Sequence, residues 1–211
     1  MNKPKNRQTT NQIIAKEGFK PTLLCLVLIL FFILLDLYFF TLLALALLVF
    51  VIISFRNTER IPESRNQNAI ISPCDGVIKD VFINNDKTSL LIKINIFDNG
   101  IFRIPMYIDR IESIFKFGLF IKDNNKELKE ILNTKHSIKG IKNNNIVFEI
   151  TLLPEFWNKV SIYEVDSAFI GDRLGFIKYG YLSLCINKPS KLKISRGDNV
   201  FAGETLLGRL L

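Results

Sequence analysis

Side chains able to do acid–base, nucleophilic or metal chemistry are few in this chain and stand far apart. It has one histidine, His136, and three cysteines, Cys25, Cys74 and Cys185. No CxxC pair occurs and no histidine lies near a cysteine, which argues against a disulfide framework and against a zinc or other metal site. A reduced, cytoplasm-facing domain fits this cysteine usage. Asp75 sits in Pro73-Cys74-Asp75-Gly76-Val77, an Asp-Gly step that serves as a turn more often than as an acid. Cys74 beside it reads as a small buried thiol, and His136 reads as a solvated loop residue after a polar segment. The densest pattern is Phe176-Ile177-Lys178-Tyr179-Gly180-Tyr181-Leu182-Ser183-Leu184-Cys185-Ile186. Its aromatic and branched residues predict a strand, with Gly180 at its middle, where glycine weakens a strand unless something else requires it. Under strict alternation Ser183 shares a face with Tyr181.

These residues need a frame, and the composition after Arg60 predicts one. Short apolar runs alternate with Asn, Asp, Gly and Lys, giving strands over Ile70–Ile71, Gly76–Val81, Ser89–Phe97, Ile111–Phe120, Asn145–Leu153, Lys159–Val165, Gly175–Ile186 and Lys191–Ile194. Many short strands with turn signals predict a mainly β, closed or sandwiched domain within an α+β chain. Leu128, Ile131 and Leu132 recur at helical spacing after Asn124-Asn125, so Lys126–Leu132 is expected to be one short helix. Ile138–Asn145, with a glycine and three asparagines, reads as a hairpin tip. Gly197 and Gly203, six residues apart, look like the glycine-spaced edge of biotinyl/lipoyl-type barrel-sandwich domains.

The N-terminal quarter is of another kind. Residues 1–18 are polar and basic, and the block Thr22–Phe55 is apolar with one charge, Asp36, near its centre. As one helix its 34 residues would run ~51 Å, far beyond a hydrocarbon core of ~30 Å. A hairpin turning near Asp36-Leu37-Tyr38 removes the excess length and takes Asp36 to the far interface. Lys16 and Lys20 precede the block, and Arg56 and Arg60 follow it. Both ends are therefore expected on the cytoplasmic side of the inner membrane. Domains follow as a basic N-terminus over 1–18, a membrane hairpin over 19–55 and a cytoplasmic β domain over 56–211. The net charge of +8 reads as attraction to an anionic membrane. No basic stripe or motif supports nucleic-acid binding.

Taken in order, these pieces resemble the short prokaryotic phosphatidylserine decarboxylases. The resemblance runs from an N-terminal apolar hairpin into an F-R-(D)-(P)-E-R junction, here Phe55-Arg56-Asn57-Thr58-Glu59-Arg60. S-P-A-D-G appears as Ser72-Pro73-Cys74-Asp75-Gly76. F-x-V-H-V-N-R-x-P is matched in part by Phe97-Asp98-Asn99-Gly100-Ile101-Phe102-Arg103-Ile104-Pro105. G-(E)-R-x-G-x-I-x-F-G-S-R-V-D corresponds to Gly171–Leu184, and A-G-E-T-x-L is intact from Ala202 to Leu206.

The resemblance implies decarboxylation of phosphatidylserine to phosphatidylethanolamine by a pyruvoyl group made from the chain. In that chemistry the serine of a Gly-Ser pair attacks the preceding carbonyl, the ester eliminates to an N-terminal dehydroalanine, and this hydrolyses with loss of ammonia to the ketone that serves as electron sink. An aspartate and a histidine resemble the assisting acid–base groups. This chain departs at two of these places: Tyr181 stands at the serine position after Gly180, and Gly100 at the histidine position. A phenol cannot close the five-membered ring onto the Gly180 carbonyl, and glycine moves no proton. No glycine in the chain is followed by Ser, Thr or Cys. Glu155, Phe156 and Trp157 replace a glycine and small residues before an arginine pair, of which Lys159 keeps a cation. Trp157 would fill the former cleft or anchor at the lipid interface.

The expected function is thus that of a membrane-anchored, phospholipid-metabolic relative without intrinsic decarboxylase activity and without a pyruvoyl cofactor, in effect a pseudoenzyme. The family-matching positions are Asp75, Gly100, Gly180 and Tyr181. Membrane phospholipid is the expected partner, with an active paralogue or a second copy as protein partner. The alternative is an active decarboxylase whose nucleophile has moved to Ser183, with His136 as its only available histidine. A third reading, a lipoyl-like membrane adaptor, lacks the long heptad hairpin such proteins carry.

Overall fold

The computed structural model describes residues 13–64, 66–84, 87–116, 135–155, 160–163 and 169–211. The chain divides into two units, one of them Thr10–Glu59 and the other built on Arg60–Leu211. In the first, helices α1 (Phe19–Leu34) and α2 (Tyr38–Ser54) pack on each other, with the rings of Phe32 and Phe40 stacked at 5.5 Å. The turn falls at Leu35–Leu37, where expected. Asp36 takes a left-handed φ of 55°, a conformation that Asp tolerates better than most residues. The segments flanking the hairpin are tied together, since Ala15 N–H donates to Phe55 O and Asn57 N–H to Ile13 O, both at 2.8 Å. Chain entry and exit therefore lie side by side.

Few of the hairpin's apolar side chains are covered; Leu23, Leu34, Tyr38 and Phe39 are all more than 60 % exposed. Lys16–Leu34 is long and apolar enough to cross a membrane, while Tyr38–Ser54 is slightly shorter. At 1.5 Å per residue α1 and α2 run about 24 and 26 Å, a little under the ~30 Å of a hydrocarbon core.

The second unit is mainly β. Its strands are β1 (Ala69–Ile71), β2 (Gly76–Ile83), β3 (Thr88–Ile94), β4 (Ile101–Arg103), β5 (Arg110–Lys116), β6 (Lys135–Lys142) and β7 (Asn145–Pro154). They continue as β8 (Ser161–Ile162), β9 (Arg173–Phe176), β10 (Gly180–Ile186), β11 (Ser190–Leu192), β12 (Asn199–Val200) and β13 (Leu206–Leu210). A seven-stranded sheet has the order β12-β2-β3-β10-β7-β6-β5, and two three-stranded sheets have the orders β1-β13-β11 and β4-β9-β8. Burial alternates strictly along β3 and β10, as the pleat requires when one face meets a core. Leu90, Ile92, Leu182, Leu184, Phe148, Ile150 and Leu152 point inward to meet Phe102, Leu174 and Leu207 from the smaller sheets and Ile104 just past β4.

Three sequence expectations change. Gly175–Ile186 is not one strand: β9 and β10 belong to different sheets, and Ile177–Tyr179 carries the chain between them. The hairpin tip is only Asn143-Asn144, both left-handed at φ 50° and 61°, the backbone of a tight two-residue turn. β6 runs through most of the supposed tip, and His136 lies on that strand rather than in a loop. The helix expected over Lys126–Leu132 lies outside the described residues.

Candidate functional site

One buried carboxylate draws four separate stretches together. Asp75 is 3 % exposed, just ahead of β2. Arg60 meets it as a fork, Nη2 donating to Oδ2 at 2.8 Å and Nη1 to Oδ1, the planar match that favours guanidinium over ammonium. The N–H of Ala202 donates to Oδ1 at 2.7 Å, and that of Asn99 to Oδ2 at 3.3 Å. Each oxygen thereby accepts two donors, about what an ionised carboxylate can take. The Ala202–Leu206 turn is sewn to the same place. Ser72 N–H donates to Thr205 O at 2.9 Å, Gly203 N–H to Ser72 O at 2.8 Å, and Phe201 N–H to Thr205 Oγ1 at 2.9 Å. The Arg60 guanidinium also lies 5.2 Å from the centre of the Phe201 ring. Asp75 is therefore more than a turn residue. Cys74 beside it is fully enclosed; burial above all, then the charges of Asp75 and Asp98, pushes its thiol well above the usual range. It stays a neutral thiol.

Of the other candidate positions, Gly100 adjoins this clasp. Asn99, a clasp donor, leads into Gly100, whose carbonyl accepts the Ile177 N–H at 2.8 Å. Lys178 Nζ reaches the Asp98 carbonyl at 3.4 Å. Gly180 opens β10, paired with Ile94 on one side and Pro154 on the other. Its φ is 144°, and a Cβ there would lie 2.3 Å from the Leu153 carbonyl oxygen. The backbone alone demands glycine, so its presence does not depend on any reaction. Tyr181 is half-buried on the sheet face turned away from the core, between Lys93 and Leu153. Lys93 Nζ lies 5.9 Å from the centre of its ring, within cation–π range.

Ser183 shares that outer face, opposite Leu91 and Thr151. His136 does not. It pairs with Leu152, which pairs with the core residue Leu182, and directly paired residues point to the same side of a sheet. Ser183 and His136 thus stand on opposite faces of one sheet. The imidazole packs on Phe115 at 4.1 Å between centroids, and burial lowers its pKa. Among the described residues no group of His, Cys, Asp and Glu could hold a metal ion.

The family model for phosphatidylserine decarboxylase matches residues 47–208. This chain belongs to the phosphatidylserine decarboxylase family. Proteins it is similar to include the phosphatidylserine decarboxylase proenzyme of Carboxydothermus hydrogenoformans, 30 % identical over 183 residues, covering 80 % of this chain and 84 % of that one. The Geotalea uraniireducens proenzyme is 28 % identical, with 79 % and 82 % covered. That of Syntrophotalea carbinolica is 26 % identical over 214 residues, with 95 % and 98 % covered. No solved structure matches.

Within this chain the family-like motifs fall into two sets. Arg60, Asp75 and the Ala202 turn are in place and bonded to one another, while the departures expected from the sequence fall at Gly100 and Tyr181. Glu155 is placed with its N–H on the Tyr179 carbonyl at 3.2 Å; Phe156, Trp157 and Lys159 lie outside the described residues. The clasp role of Arg60 escaped the sequence reading because a junction arginine gives no sign of its partner. Two of its companions, Asn99 and Ala202, meet the carboxylate through backbone N–H groups, which have no side-chain signature.

Proposed function

We propose that this protein is a membrane-anchored member of the phosphatidylserine decarboxylase family that serves phospholipid metabolism without intrinsic pyruvoyl-dependent decarboxylation. The observation that carries this is the pair Gly180-Tyr181 at the start of β10. Pyruvoyl formation needs a hydroxymethyl group on the residue after the scissile carbonyl, to attack it and then to leave by elimination. A phenol on a rigid ring does neither. The residues present do not fit the cofactor. Two features support the reading: Gly100 offers no proton-transfer group, and the Asp75 oxygens are filled by four donors. The apolar hairpin is the anchor, set in the inner membrane with both ends and the β unit on the cytoplasmic side, and membrane phospholipid is the ligand.

The test is direct. Purified protein should run as a single band near 24.3 kDa and convert no phosphatidylserine in mixed micelles. Two fragments with a break inside residues 179–184 would overturn the reading.

The register supplies one argument for a second reading, an active enzyme with Ser183 as nucleophile, because Ser183 shares the face of Tyr181. Against it, the Leu182-Ser183 peptide lies inside a ladder paired on both sides, with Ile92 and Leu91 and with Leu152 and Thr151. Cleavage there would cut a central strand. Ser183→Ala should abolish both cleavage and turnover if this reading holds, and change neither if the first does.

A further inference from the structure

We infer that β4 and β9 form a closed aromatic seam in which Phe176 shuts position 100 against any side chain. The departure at Gly100 is then fixed by a second residue. The inference rests on the proposed function for its meaning, but its physical content is independent of activity. A Cβ built on Gly100 would stand 2.6 Å from Phe176 Cζ, 2.7 Å from Phe176 Cε2 and 2.8 Å from the Ile177 carbonyl oxygen. Phe176 is 2 % exposed and Ile177 fully buried, so neither has open solvent to move into. Ile177 is held further by its N–H on the Gly100 carbonyl.

The seam has a second half. Phe102 pairs directly with Gly175. A Cβ there would lie 2.7 and 2.8 Å from Phe102 Cζ and Cε1, and 2.0 Å from the Ser161 carbonyl oxygen. Each ring thus lies where a glycine leaves room. Positions 100 and 102 hold His and Asn in the strand motif, polar groups suited to line a site. Here they are glycine and a fully buried phenylalanine. An imidazole at position 100 would begin with the same Cβ that an alanine would. Re-equipping the chain for self-cleavage therefore needs Phe176 changed as well as Tyr181 and Gly100.

A double-mutant cycle on the full-length protein in detergent tests this, using wild type, Gly100→Ala, Phe176→Leu and the double variant. Phe176→Leu deletes the ring atoms that a Cβ at 100 would strike. Gly100→Ala should lower the melting temperature by at least about 3 °C, as overpacking of a closed core does. The double variant should melt above Gly100→Ala alone. The seam is refuted if Gly100→Ala melts with wild type, or if the double variant melts no higher than the single. Should Gly100→Ala fail to fold, recovery of folded protein in the double variant supports the seam, and its failure there refutes it. A gel of the uncut wild type is run alongside. Cleavage of that sample would remove the functional reading and leave the cycle to decide the seam by itself.

Discussion

The surroundings of Asp75 and those of Tyr181 lie close together in one β unit and differ in kind. At Asp75 the motif residues are present and bonded: a forked arginine, two backbone donors and a turn sewn to the strand entry. At Gly100 and Gly180 crowding leaves no room for a side chain, and Tyr181 lies half-buried on the outer face; under the proposed function this is where the reactive groups are missing. Gly180 is required by its own φ and by the Leu153 carbonyl, whatever follows it. The difference teaches that the motif residues around Asp75 in this chain are clasp and turn hardware, which holds the fold whatever chemistry lies beside it.

The comparison can be broken at either side, and the largest effect is expected at the clasp. Arg60→Ala leaves the Asp75 carboxylate buried with its main partner gone, which should cost about 3–5 kcal/mol; chemical denaturation reads this directly. A loss below 1 kcal/mol would make the clasp ornamental. Gly180→Ala comes next, at about 1–3 kcal/mol for a strained backbone, measured in the same way. Tyr181→Phe sits on an outer face and keeps its ring near Lys93, so unfolding should shift by no more than about 0.5 kcal/mol. A larger change would make the phenol oxygen part of the structure.

The smallest effect concerns pH. Burial lowers the pKa of His136 in the folded state, so the unfolded chain binds the proton more readily. Stability from the neutral imidazole is then complete above the unfolded value of about 6.5 and declines as pH falls toward the folded one. His136→Gln should flatten the stability profile below that pH. A profile unchanged by the substitution would place the histidine in solvent.

How much of this was legible beforehand differs from element to element. The hairpin and its turn at Asp36 followed from length and charge alone, because an apolar run too long for one span, with one central carboxylate, has few ways to fold. Strands β2, β3 and β7 followed from alternation. The break at Ile177–Tyr179 did not, since a chain crossing between two sheets keeps the same apolar residues as one that continues a strand. His136 was misplaced because β6 carries a glycine and lysines amid its apolar residues, a composition that reads as loop until Phe148 and Leu152 are set beside it. At the site, the side-chain identities at 75, 100 and 181 were plain. Their bonding was not: the clasp uses two backbone N–H groups, and the seam depends on a phenylalanine whose partner glycine is 76 residues earlier.

Intact-mass spectrometry of the purified chain, before and after hydroxylamine, tests the central proposal most directly. One species near 24.3 kDa, unchanged by the reagent, is predicted. A pair of chains, the smaller starting around position 181 and gaining mass as a ketone does, would contradict it.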